Sequence, residues 1–382
     1  MLQIDIRAPT IPLDQRVWRL FPGSGYQFLE TFIDSRAGFL DFPGLELPRG
    51  KLQEAKDWIP RIARSQFIAS TLRQAGTDAK FDAELSKFAN ARATQNRGRL
   101  RSAIINFYGE AKDGDFVVLP EPVFLSKVHV GRLKGNDVTR AHFPRWYGKT
   151  SIPARHIEWL GQYRESAISP ALSDSLRHQH PFTLLEKSVQ LEVFSLAYGS
   201  FVFGERHAAI FNEKNDFLDT DAALLGIVSR LAAAACRAVD ERKSRLAAAD
   251  LIDVLLRAPP IEYTCTQEAD IHSAGFNRYI SGTMAALVIG AVIAGLIGLA
   301  WYSSKEKLAA DISAVSIVNT SPNADPQCTA RVSKASAMVL QALGTDRTWA
   351  LCEAAKAAAA RAGFRSTASP SLLRTKLVKP KS

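Results

Sequence analysis

The sequence predicts an α+β protein: a mixed helical and small β-barrel cytoplasmic domain, one transmembrane helix, and a small helical C-terminal domain. Three observations predict it. Residues 279–304 contain no charged side chain, three apolar runs lie between 114 and 160, the middle one alternating as a strand does, and helical periodicity recurs elsewhere.

The periodic elements can be taken in order. Residues 16–21 read as a short strand, 22–25 as a Pro-Gly-Ser-Gly turn, 26–34 as a helix and 37–42 as a strand. Helical spacing follows at 52–74, through Trp58, Ile62 and Phe67, and at 80–111, through Leu85, Phe88, Leu100, Ile104 and Phe107. Gly114-Asp115 marks a turn before strand-like runs at 116–119, 127–133 and 154–160. Beyond Pro170 come a short helix, a strand at Leu184-Leu185, a helix over 189–198 and a strand over 207–211. Asp219 or Thr220 can cap a long helix that Pro259-Pro260 stops, so 219–258 is expected to form a stalk. Past the membrane segment, two helices over 328–343 and 346–362 join at Gly344-Thr345, and the basic tail after 364 is expected to be flexible. The expected domains are therefore 1–218, the stalk 219–258, the membrane helix 279–302, a helical domain 303–363 and the tail 364–382.

Composition narrows the function. With 47% hydrophobic and 23% charged residues, 382 residues can bury the cores of two or three domains, which excludes wholesale disorder. Four cysteines are too few to staple a chain of this length. The net charge of +10 is concentrated at one end: residues 303–382 hold 12 Lys and Arg against 5 Asp and Glu, which leaves +3 for the other 302. Overall basicity is thus weak evidence for a polyanionic partner.

As one helix, the 24 residues 279–302 would reach about 36 Å, enough to cross a hydrocarbon core of about 30 Å. Tyr279 at one end and Trp301 with Tyr302 at the other match the headgroup preference of amphipathic rings. The competing reading is a buried core helix. Gly282, Ala286, Gly290, Ala294 and Gly298 recur at every fourth position and form a stripe of small residues, the pattern through which membrane helices self-associate into homo-oligomers. No signal-like apolar run opens the chain, so the large N-terminal part is expected in the cytoplasm, at the inner membrane. Cys328 and Cys352 would then lie in an oxidising compartment, paired or as buried thiols, while Cys236 and Cys265 stay reduced.

Residues 127–164 hold eight cations, including Lys127, Arg132, Arg140, Arg145, Lys149 and Arg155, against Asp137 and Glu158. Trp146, Tyr147 and Trp159 lie among them. Cations that meet phosphates and rings that stack on bases suit a nucleic-acid surface. The alternative is that the rings are core and the cations a solvated face. Catalytic signals are weak: His178-Gln-His180 lacks further metal ligands, Glu186-Lys187 and Glu213-Lys214 lack the spacing of a metal-dependent nuclease, and no GxxxxGK or GxSxG motif occurs. No cofactor or metal is expected.

The strands at 114–120, 128–133 and 153–160, with their GDxVVxP, VxVGxL and RxIxWL patterns, resemble the PUA-like superfamily. The likeness is to the EVE-like and Mrr-type N-terminal domains of bacterial restriction and phage-defence proteins. It covers residues 110–185, and the segment 135–151 and the helical stretch before Gly114 depart from the compact family pattern. The resemblance implies a small barrel whose pocket reads a flipped base or a nucleotide. It would suit a single-pass membrane protein of a phage-defence system, in which nucleic-acid or nucleotide sensing alters helix packing in the lipid bilayer. The alternative is a membrane-tethered scaffold that recruits a protein complex and binds no nucleic acid.

Overall fold

A computed structural model describes all residues except 1, 123–126, 165–167, 179, 215, 247–249, 257–258, 271–274, 301–303, 313–314 and 373–382. About 48% helix and 21% strand make it α+β, as the patterning predicts. The chain divides into two compact units, 14–197 and a discontinuous one built from 1–13 with 198–382.

The discontinuous unit begins with β1 (Leu2–Asp5). The inserted unit then runs β2 (Val17–Leu20), α1 (Leu29–Ser35), β3 (Ala37–Phe39), α2 (Trp58–Ala75) and α3 (Gln95–Ile105). It continues with β4 (Phe116–Pro120), β5 (Lys127–Leu133), β6 (Thr139–His142), α4 (Pro144–Tyr147), β7 (Ser151–Arg164), α5 (Pro170–Arg177), β8 (Phe182–Leu184) and α6 (Lys187–Tyr198). The discontinuous unit resumes with β9 (Phe201–Phe203), β10 (Glu205–Phe211), α7 (Asp219–Asp240), α8 (Asp250–Leu256), β11 (Thr266–Asp270) and β12 (Phe276–Ser281). It ends with α9 (Ala285–Leu299), α10 (Lys305–Ile312), β13 (Ser316–Val318), α11 (Pro326–Ala362), β14 (Arg365–Ser366) and β15 (Ser369–Leu372).

In the inserted unit the sheet order is β3-β7-β5-β4-β2-β8, with β6 also paired to β7, and the sheet curls into a half-barrel. The three strands expected between 114 and 160 are β4, β5 and β7, and they are neighbours. All five β4 residues are buried, as in a strand covered on both faces. Gly114, at φ +82°, makes the expected turn, and buried Asp115 ties it down. Its carboxylate accepts hydrogen bonds from the Trp18 indole at 2.8 Å, the Gln15 amide at 2.8 Å and the Lys112 backbone at 3.0 Å. The segment 80–94 departs from the predicted helix. Only a short 3-10 turn at Leu85–Phe88 forms there, and Thr94 caps α3 by accepting from the Arg97 backbone.

In the discontinuous unit, β1 pairs in parallel with β13 and antiparallel with β15, and a second sheet runs β11-β12-β10-β14 with β9 on β10. The segment expected to cross a membrane has a different form. Residues 279–281 finish β12, and Ser281 and Thr283 hydroxyls, 2.9 Å apart, turn the chain into α9. The Thr283 hydroxyl accepts from the Ala285 backbone at 3.3 Å. The helix has 15 residues, or about 22 Å, and every one except Ile297 is buried. It packs on α7, α11, β10 and β1. Trp301 and Tyr302 lie outside the described residues.

The stripe expected to meet another copy is occupied by the chain's own strands. The Ser366 hydroxyl donates to the Gly290 carbonyl at 3.1 Å, and a Cβ on Gly298 would lie 2.5 Å from Pro370 Cβ. Ala286 and Ala294 are buried in the same core, and Gly282 sits outside the helix, where its carbonyl accepts from Arg206 at 2.7 Å.

The expected stalk, 219–258, holds two helices, α7 and α8. α7 ends at Asp240, and ten of its residues are buried against the core. It is the one helix among the described residues long and apolar enough to cross a membrane, by length and composition alone. The junction at Gly344 matches expectation: α11 breaks there at φ +68°. The expected domain breaks near 218 and 302 do not separate compact units, because 198–382 folds with 1–13. Part of the basic tail forms β14 and β15, and Arg374, Lys376, Lys379 and Lys381 lie outside the described residues. All four cysteines are free, so Cys328 and Cys352 are not paired.

Candidate functional site

The cations and rings predicted between 127 and 164 divide between buried anchors and exposed positions. Arg155 is buried and donates to the carbonyls of Phe107 at 2.9 Å, Ala111 at 2.6 Å and Gly135 at 2.8 Å. It fastens β7 to the turn after α3, and burial pushes its pKa down. Trp159 donates its indole N–H to the Phe32 carbonyl at 3.1 Å and packs against the core. Arg132 pairs with Glu158 at 2.7 Å, which Lys134 shares at 3.1 Å. Lys127, at the exposed start of β5, stands opposite Arg164 in the ladder, and exposed Arg140 donates to the Ser151 hydroxyl at 3.3 Å.

The remaining predicted residues gather on and beside α4. Trp146 donates to the Thr31 hydroxyl at 3.0 Å and meets the Phe28 ring edge-on with centroids 5.2 Å apart. Exposed Arg145 lies 5.0 Å above the Trp146 ring, and Lys149 follows the helix, also exposed. Tyr147 is buried and donates its hydroxyl to Asp41 Oδ1 at 2.8 Å. Burial, then the Asp41 charge, push the phenol pKa up, so Tyr147 stays a donor across the physiological range.

Asp41 opens onto a cavity of the inserted unit of about 450 Å³, within the range of about 300–1,000 Å³ usual for small-molecule sites. Phe21, Phe28, Phe39 and Phe42 contribute its aromatic lining, and Asp41, Gln66, Arg73 and Ser24 its polar groups. The sequence places these residues for local reasons. The turn at 22–25 has Gly23 at φ +79° and Gly25 at φ +63°, and a Cβ on Gly23 would lie 2.5 Å from the Phe28 ring. Only glycine lets the loop close over that ring. Asp41 just follows β3, and Arg73, in the last turn of α2, forms an ion pair with it. The outcome is an apolar slot whose lining includes a carboxylate–guanidinium pair and an amide, groups that can accept from and donate to a planar polar ligand.

Asp41, Gln66 and Arg73 were missed by sequence reasoning. One signal was present: Asp41 interrupts the apolar run 38–42, where an acid has no reason to sit unless it finds a donor. A second was the stretch 85–109, with Lys87, Arg92, Arg97, Arg99 and Arg101 and no Asp or Glu. It carries α3, whose Leu100 lines the cavity.

Among the described residues no group of three or more His, Cys, Asp or Glu side chains is placed to hold an ion. His180 turns its Nδ1 to the Phe182 carbonyl at 3.2 Å. No protein-family model, curated protein or solved structure matches the chain.

Proposed function

We propose that the inserted unit is a nucleotide- or nucleic-acid-binding module that takes a base into the aromatic cavity. The observation that carries this reading is a cavity that joins phenylalanine walls to the Asp41–Arg73 ion pair and to Gln66. Rings supply a stacking surface that any base can use, and the polar edge supplies hydrogen bonds to discriminate among bases. The acid-free segment 85–109 beside the cavity supplies cations for phosphate. The likeness of 114–160 to PUA-like domains supports the same ligand class.

Titration calorimetry of the full chain with the four common 5′-mononucleotides tests it. At least one is expected to bind, and Arg73→Gln is expected to weaken that binding about tenfold, the scale of one lost charge-assisted hydrogen bond. No binding by the parent, or equal binding by the variant, overturns the reading.

A membrane-attached form is a second reading, favoured by the charge-free run 279–304. It requires α9 to exchange its partners in β1, β10 and α11 for lipid. The substitution Gly298→Ala separates the two situations, because lipid accepts a methyl group where Pro370 does not.

A further inference from the structure

A second concavity adjoins the proposed base pocket. It is a groove of about 520 Å³ between α2 and the segment leading into α3. Gln66 lines both cavities, so one side chain forms the partition between them. Arg97 donates to the Gln66 Oε1 at 3.3 Å, which places a guanidinium at that partition. Phe67 and Phe88 form the aromatic part of the groove, their ring centroids 5.7 Å apart and their planes inclined at 52°. Phe67 is 43% exposed, so its ring is open to a ligand in the groove.

The groove's charged lining is Lys87 and Arg97, with no carboxylate. Lys87 pairs with Asp82, which lies outside the lining, and the flanking segment 85–109 carries five cations and no acid. Charge complementarity therefore favours an anionic ligand over a basic peptide. Aromatic surface, cations and a neighbouring base pocket recur together where single-stranded nucleic acid is held, with successive bases on separate rings and the linking phosphate beside a cation.

We propose that the groove is a second base subsite, so that the ligand of this unit is a single-stranded oligonucleotide of at least two nucleotides. One base enters the pocket, the linking phosphate passes Arg97 at the Gln66 partition, and the next base lies on Phe67 and Phe88. This assignment rests on the reading of the pocket as a base site, and it adds what that reading leaves open, a chain in place of a lone nucleotide.

The test compares a 5′-mononucleotide with the matching single-stranded tetranucleotide, titrated into the full chain and into Phe67→Ala and Lys87→Gln. Both substitutions lie at exposed positions, and melting curves confirm that each variant is folded. The parent is expected to bind the tetranucleotide at least tenfold more tightly. Phe67→Ala is expected to remove about tenfold of that affinity and leave mononucleotide binding unchanged. Lys87→Gln is expected to flatten the salt dependence of tetranucleotide binding only. Equal affinity for the two ligands, or a tetranucleotide affinity that ignores Phe67, overturns the second subsite while the pocket reading stands. Failure of both ligands to bind overturns both.

Discussion

At the scale of single residues, burial decides what each polar group does. Tyr147, Arg155 and Trp159 carry the residue types of a nucleic-acid surface, yet their donors are spent inside the protein, on Asp41 and on backbone carbonyls. A string of letters does not record which side of a strand faces inward once the sheet curls and both faces are covered. His207 shows the same principle as a pH response. It is buried, its ring stacks on Phe201 with centroids 4.5 Å apart, and Arg278 on β12 faces it while pairing with Glu268 at 2.8 Å. Desolvation, then Arg278, push its pKa down to about 4 from an ordinary 6.5. The unfolded chain therefore binds the proton more readily between those values. The neutral ring's contribution is complete above pH 6.5 and is lost as pH falls towards 4, by at most about 3 kcal/mol. His207→Phe, which keeps the stack, is expected to lose less stability than the parent over that window, read as the difference in urea midpoints at each pH.

At the scale of elements, α9 shows where sequence patterning stops. A helix apolar on every face avoids water, and that property is shared by helices in lipid and helices in a protein core. Ser281-Gly282-Thr283 is a helix-start signal inside the charge-free run, and it moves the start of the helix from residue 279 to Ala285. The break in α11 was legible for the opposite reason: Gly344 interrupts two good helical stretches and adopts a φ of +68° that other residues resist. The environment of α9 makes Gly298 and Gly282 respond differently to the same change. In an open helix Gly→Ala gains up to about 1 kcal/mol. At Gly298 the new Cβ would lie 2.5 Å from Pro370, so Gly298→Ala is expected to cost about 1–3 kcal/mol, whereas at Gly282 a Cβ meets nothing within 4 Å and Gly282→Ala is expected to be tolerated. Thermal unfolding of the two variants beside the parent measures both.

At the scale of the whole molecule, the inserted unit carries its own aromatic core, from Trp18 and Phe32 to Ile157 and Phe182, and its own cavity. Residues 14–197 are therefore expected to fold when expressed alone, with a cooperative urea transition and the mononucleotide affinity of the full chain. Residues 198–382 without the opening thirteen are expected to lack that cooperativity, since β13 and β15 lose the strand between them. Calorimetric and fluorescence-detected unfolding of the two fragments checks both. Most strands of the inserted unit were legible because each is a short apolar run bounded by its own turn residues. The composition of the other unit was not, because nothing in Leu2-Gln3-Ile4-Asp5 indicates that its neighbours are Ser316–Val318 and Ser369–Leu372.

That strand sandwiched between two late ones has a consequence for synthesis. The ribosome makes Leu2–Asp5 long before Ser316–Val318 and Ser369–Leu372, so this strand waits without its sheet partners while the residues between are translated. A nascent chain halted before Ser369 would leave one edge of it with unpaired backbone N–H and C=O groups, a template on which another chain can pair.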